Sequence, residues 1–316
     1  MTIASRVDSI LSTTNFTEPF ETGHFSEHAE LARLKAGQLG GAFWSTFSDC
    51  PKNGSNYTSK YFREVDVLHR LFAKYNDTFA VPVSSSSAMD IFKSGKVIPP
   101  LALEGLHLID GSFSKLRDYH ARGVRLVTLT RNCANAYADS ALVDLPTGGL
   151  LRQSHSEEVA PVVFSHSCAY ALCPHPRNVS DDVLHLVKAR TMTFSPDFVS
   201  CRNSLGGNKN GLPERYDANL TVSQVVRHMR YIGDLIGYEH IGIGSDFDGM
   251  PATPRGLEDV AKYPELVAEM LKQGITDENA RLIVGENLIR VWSDVDEVAR
   301  KMQEDGELPP RMTFLL

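Results

Sequence analysis

Four apolar runs in this chain each lead into an ionisable residue. "VIPPLALEG" carries Glu104, "VRLVTLT" leads to Arg131, "PVVFSH" ends in His166 and "HIGIGSD" ends in Asp246. Taken singly, each is a strand running out into solvent. His166 is either a histidine tucked into a core or a metal ligand at the mouth of a barrel. Taken together on a pattern of alternating strands and helices, they put two carboxylates, a guanidinium and an imidazole at the ends of parallel strands. That edge is where α/β barrels keep their chemistry.

The elements that must position these groups follow from periodicity. Helical spacing covers 27–39 and stops at Gly40-Gly41. It covers 59–75, with Phe62, Val65, Leu68, Leu71 and Phe72 on one face, and returns in a short helix over 86–95. "SFSKLRDYHARG", "SDDVLHLVKAR" and "TVSQVVRHMRYIGDLIG" read as helices, as do three segments over 257–273, 276–284 and 286–303. "GAFWSTF", "TMTFS" and the four runs above read as strands, and "FAVPVS" as a weak one because of its proline. Residues 1–26 form an irregular start, and 132–160 an irregular loop about thirty residues long. Strands alternating with helices imply parallel pairing and right-handed crossovers. The whole, 1–316, reads as one α/β barrel domain.

Composition narrows the function. The chain is 42% hydrophobic and 22% charged, ordinary for a globular protein, and carries a net charge of −7 with its basic residues dispersed. Nucleic-acid binding, which needs a clustered basic face, is not expected. There is no apolar run long enough to span a bilayer and no signal-like apolar stretch at the start. The five cysteines match no zinc-binding spacing. Six N-x-S/T sequons, at Asn15, Asn53, Asn56, Asn76, Asn178 and Asn219, fit a protein of secretory ancestry, and the compartment stays open.

The words around the candidate residues are specific. "LALEGLHLIDGS", "VTLTRNCANAYAD", "VVFSHSCAYALCPHPRNVSDDVL" and "IGIGSDFDGMPATPRGLEDVAKYPELV" resemble the membrane dipeptidase (renal dipeptidase) family of zinc metallopeptidases, and "LKAGQLGGAFWSTF" and "GENLIRVW" fit it too. The resemblance implies a (β/α)8 TIM-type barrel that holds two zinc ions and hydrolyses dipeptides. It implies that Glu104 bridges both metals and His166 binds one. Arg177, eleven residues after His166, would grip the substrate carboxylate, and Asp246 would engage the free amino group. It also implies disulfides Cys50–Cys133 and Cys173–Cys201, with Cys168 left over. A homodimer is the assembly left open.

The sequence departs from the family pattern at three places. The Asp-Gly-His-Asn-Asp word of the first strand is absent, and "ILSTTNFTEPFETGHFSEH" stands there, with His24 and His28 read as surface histidines at a helix start. The fifth strand and its terminal histidine are replaced by the 132–160 loop, whose His155 follows no apolar run. Arg131 stands where the family has a histidine that contacts the tetrahedral intermediate. Arginine can still hydrogen-bond an oxyanion but cannot shuttle a proton near neutral pH. The barrel is thus expected to lack its first and fifth strand segments. Two functions stay open: a zinc-dependent dipeptidase, or a catalytically impaired relative that binds peptides or a protein partner without hydrolysis.

Overall fold

The computed structural model describes residues 11, 13–47, 57–130, 135, 163–165, 167–175, 178–186, 216–250 and 252–307. The chain divides into two compact units. One comprises Met1–Thr17, Gly40–Ser156 and Trp292–Leu316, the other Glu18–Leu39 and Glu157–Val291.

The first unit is built on a parallel sheet of three strands among the described residues, β1 (Trp44–Phe47), β2 (Leu101–Glu104) and β3 (Val124–Thr128), in that order. Phe47 pairs with Glu104, and Glu104 with Thr128, so the three strands finish level. The central strand β2 is buried at all four positions, as a parallel strand covered on both faces must be. Helices α3 (Tyr57–Lys74), α4 (Ser85–Lys93) and α5 (Phe113–Ala121) belong to this unit. Ser84 caps α4 through a capping box with Ser87, which stops the preceding chain from joining the helix. Trp44, Phe72 and Phe79 meet with ring centroids 5.3–5.6 Å apart, two of the three contacts edge-to-face. Tyr61 and Tyr119 lie 4.4 Å apart by centroid, and the buried Tyr119 hydroxyl donates to Leu108 O at 3.0 Å.

The second unit holds α2 (Leu31–Ala36), α6 (Asp181–Leu186), α7 (Val222–Ile236), α8 (Tyr263–Lys272) and α9 (Asp277–Arg281). A π turn over Leu282–Glu286 leads into α10 (Asn287–Glu304). Helix α7 has the cleanest amphipathic stripe, burying Val225, Val226, Met229, Ile232 and Ile236. Gly37 has an ordinary φ but no room for a side chain, since a Cβ there would lie 2.0 Å from Val260 O. The glycine of "LKAGQ" is therefore fixed by a backbone-to-backbone approach.

Several sequence expectations change. The helix read over 27–39 begins only at Leu31, because the buried Glu30 carboxylate caps it by accepting Arg33 N. The Arg33 guanidinium meanwhile donates to the carbonyls of Phe25 and Glu27, holding 25–30 outside the helix. Helix α1 (Thr14–Thr22) crosses the segment read as irregular, burying Phe16 and Phe20 one turn apart. "FAVPVS" contributes only a single bridge, Phe79 to Val97. "HIGIGSD" is not a strand. Ile241 makes one bridge, and 242–246 have no regular pairing among the described residues. "TMTFS" and all of 132–160 except Asn135 lie outside the described residues, as do the ends of "PVVFSH".

Replacing Gly37 with alanine forces the Val260 carbonyl to move. Unfolding in urea is expected to show a loss of about 1–3 kcal/mol, against a few tenths for the exposed Gly274→Asn.

Candidate active site

Glu104 stands at the level C-terminal edge of β1, β2 and β3, 8% exposed. A second carboxyl group is held close to it. Glu64, on α3, is 3% exposed, and its Oε2 accepts the main-chain N–H of Phe47 at 2.9 Å. Lys60 Nζ lies 4.0 Å from Oε1. Loss of water pushes the Glu64 carboxyl up to about 7. The Phe47 bond and the Lys60 charge oppose that rise, and the Glu104 charge adds to it. Thr46, one residue before Phe47, donates its hydroxyl to Ala102 O at 3.0 Å and ties β1 to β2 just below this edge. The edge thus offers oxygen donors out of water, suited to holding a cation or a proton.

In the second unit Asp246 opens a tight turn. Asp246 and Asp248 both adopt left-handed backbone, φ +49° and +70°. Gly249 N donates back to Asp246 O at 2.9 Å, and a Cβ on Gly249 would lie 2.4 Å from Asp246 Oδ1. Only glycine lets the Asp246 carboxylate lie across the turn. Buried Asp248 is bound reciprocally to His28: His28 N donates to Asp248 Oδ1 at 2.7 Å, and Asp248 N donates to His28 Nδ1 at 2.9 Å. His28 is half-buried against Phe247, ring centroids 5.5 Å apart, so the surface reading of this histidine is corrected. Because Nδ1 accepts a main-chain N–H, its proton sits on Nε2 in the neutral ring. His24 is exposed, as expected, near the Thr22 hydroxyl.

The described residues 167–175 and 178–179 are tied together closely. Cys168 N donates to Asn178 Oδ1 at 2.8 Å, Asn178 Nδ2 donates to Cys173 O at 2.9 Å, and Ala169 N donates to Nδ1 of buried His228 at 3.2 Å. Asn178 is buried with both ends of its amide engaged, so the sequon there cannot carry a glycan in the folded chain. Cys168 and Cys173 are buried. Arg131, His155, His166, Arg177, Cys50, Cys133 and Cys201 lie outside the described residues. Strand β3 ends at Thr128, so Leu129 and Thr130 intervene before Arg131. Among the described residues no group of three or more metal-ligating side chains is assembled.

Reading only the ends of apolar runs misses Glu64, and marks Asp248 only as a further oxygen donor near Asp246. Glu64 had a signal: it interrupts the buried stripe Tyr61, Val65, Leu68, Leu71 and Phe72 of an otherwise regular amphipathic helix. A charge in a core stripe is either paired or functional. Asp248 had only its place two residues beyond Asp246.

With this geometry in place, comparison with known proteins is direct. The family model described as membrane dipeptidase, peptidase family M19, matches residues 2–157 and 149–306. The two matched stretches overlap over residues 149–157. Dipeptidase verJ of Clonostachys rogersoniana is 35% identical over 319 residues, covering 89% of this chain and 79% of that protein. Dipeptidase aclJ of Aspergillus oryzae is 36% identical over 328 residues, covering 89% and 74%. Among solved structures, the dipeptidase AC, an M19 metallopeptidase, superposes with a TM-score of 0.74 at 20% identity, covering 92% of this chain and 97% of that one. A metallopeptidase from Rhodobacter sphaeroides, liganded with a phosphinate mimic of the dipeptide L-Ala-D-Ala, gives 0.74 at 19%, covering 92% and 96%. The chain belongs to the membrane dipeptidase family of metallopeptidases and is a dipeptidase-type hydrolase by that kinship.

The Glu64 carboxyl has a pH signature. Its folded value lies above the ordinary one of 4.5, so its charge costs stability that is present below about pH 4.5 and lost as pH rises through about 7. In metal-free protein, Glu64→Gln should gain about 2–3 kcal/mol relative to the parent between pH 4.5 and 8. Parallel urea titrations across that range check it, and a constant difference contradicts it.

Proposed function

We propose that this chain hydrolyses the peptide bond of dipeptides with free amino and carboxyl ends, using two zinc ions. The observation that carries the reading is Glu104, a carboxylate kept from water at the shared end of three parallel strands. Its surroundings suit a cation. Glu64 lies within its electrostatic reach, and a divalent ion would relieve the repulsion between two buried carboxyls. Glu104 and His166 would hold the zinc. When bound, the metal supplies polarisation of the scissile carbonyl and acidification of the attacking water.

The chain's own residues do the rest. The forked Arg177 guanidinium pairs bidentately with the substrate carboxylate. Asp246 accepts from the substrate ammonium. Requiring both ends restricts the substrate to two residues, and side-chain preference is left to the walls between. Arg131 brings a fixed positive charge to the oxyanion. The pairs Cys50–Cys133 and Cys173–Cys201 would brace the loops that bear Arg131 and Arg177, in an oxidising compartment. The relatives named as dipeptidases, and the bacterial peptidase that holds a dipeptide mimic, support this substrate class.

A second reading rests on Arg131. With arginine in place of the family's histidine, and without the first-strand Asp-Gly-His-Asn-Asp word, the chain keeps its grip on peptide ends but does not hydrolyse. Metal analysis and turnover divide the two. The first expects about two zinc ions per chain and hydrolysis of Ala- or Gly-containing dipeptides. The second expects little metal and no turnover, with dipeptide binding retained. Glu104→Ala should remove metal more completely than any other single change, and unchanged metal content would refute the ligand assignment. Arg177→Ala should weaken dipeptide binding by about 1.5–3 kcal/mol in either case.

A further inference from the structure

We infer that His28 is a positioning residue for the amine-binding end of the site, holding the Asp246–Gly249 turn in shape through Asp248. The inference rests on the reading of Asp246 as the group that meets the substrate ammonium.

The turn is one that a chain does not adopt unaided. It contains two non-glycine residues in left-handed backbone, φ +49° at Asp246 and +70° at Asp248. Such conformations persist only where surrounding contacts over-determine them. Gly249 N closes the turn locally on Asp246 O. Among the outside contacts, Tyr263 lies 6.0 Å from Phe247 by ring centroid and donates its hydroxyl to Ser245 Oγ at 3.2 Å, while Asp248 itself is met by His28, 220 residues away in sequence. Its Nδ1 takes the Asp248 N–H, and its ring packs on Phe247. Its own main-chain N–H is held by the Asp248 carboxylate, and its main-chain carbonyl accepts Val260 N at 3.2 Å. The two main-chain bonds fix where the imidazole stands. The imidazole then fixes the peptide plane between Phe247 and Asp248, next to the residue whose carboxylate must face the ligand. Each contact lies within the second unit.

Substitution separates these roles, because the main-chain bonds of residue 28 survive any side chain. His28→Phe keeps a ring on Phe247 and removes the acceptor. His28→Asn removes the ring but puts Oδ1 near the place of Nδ1. If packing is all that matters, phenylalanine preserves function and asparagine does not; the inference expects the reverse.

The experiment uses the full, zinc-loaded chain and calorimetric titration with a phosphinate mimic of Ala-Ala, alongside the same compound acetylated on its amine. His28→Phe is expected to weaken binding of the free-amine compound about tenfold. The acetylated one should be unaffected and asparagine should restore the parent value. Amide hydrogen exchange at Asp248 and Gly249 should accelerate in the phenylalanine variant and return in the asparagine variant. His28→Ala replaces phenylalanine if that variant does not fold. Parental exchange in the phenylalanine variant, or an equal effect on both compounds, overturns the inference. Asp246→Asn is measured in parallel. If it leaves the preference for the free amine intact, the Asp246 reading falls and takes this inference with it. If it abolishes the preference while His28→Phe keeps it, the positioning role alone falls.

Discussion

A carboxyl group taken out of water must be met by donors, by a cation or by a proton. The first unit takes two out of water at the same edge of one sheet. Parallel strands that end level make this possible. Phe47, Glu104 and Thr128 are register partners, so whatever closes one strand faces what closes the next. Helix α3 then brings Glu64 against Phe47 N, satisfying one carboxylate oxygen with a donor that the end of β1 leaves unused. Lys60 at 4.0 Å offers partial compensation to the other. The aromatic packing of Trp44, Phe72 and Phe79 builds core at the opposite end of β1, where Trp44 pairs with Leu101.

The second unit solves a different problem. It has no described strand to hold Asp246, only a turn with unfavourable backbone angles. Rigidity comes instead from main-chain groups satisfied by distant side chains. His28 and Asp248 exchange two hydrogen bonds, Arg33 gathers the carbonyls just before that histidine, and Glu30 caps the helix just after it. Asn178 does the same for Cys168 and Cys173. Irregular chain is thereby held without ladders, by side chains that satisfy main-chain groups directly.

Legibility in the sequence followed the physics of each segment. Helices α3, α5, α7 and α10 were readable because a stripe of apolar residues at 3.6-residue spacing is a property of the segment itself. Strand β2 was readable to its last residue, since an unbroken apolar run bounded by Pro100 and Glu104 has few other uses. The run "HIGIGSD" misled. Alternating isoleucine and glycine satisfy a strand pattern, but the glycines leave the backbone free and the left-handed Asp246 turns the chain away. The start of α2 was misplaced because Arg33 captures carbonyls that a longer helix would have used. His28 was invisible as anything but a surface residue, because its partner lies far along the chain. No local pattern encodes such a pair. Glu104 and Asp246 were legible only because they end apolar runs, while their neighbours Glu64 and Asp248 do not.

The turn at 246–249 also bears on how far residue type reveals role. A position at φ +49° favours asparagine, aspartate or glycine whatever the protein does. The identity of Asp246 is therefore explained twice, once by backbone and once by chemistry. The two explanations differ in what they need. The backbone needs a short polar side chain, which asparagine supplies equally well, and the void over Gly249 accepts an amide as readily as a carboxylate. Neither uses the negative charge. In the proposed reading a substrate ammonium does, because its attraction to a carboxylate exceeds its hydrogen bond to an amide. The charge, rather than the shape, is thus the part of Asp246 that its backbone conformation does not require.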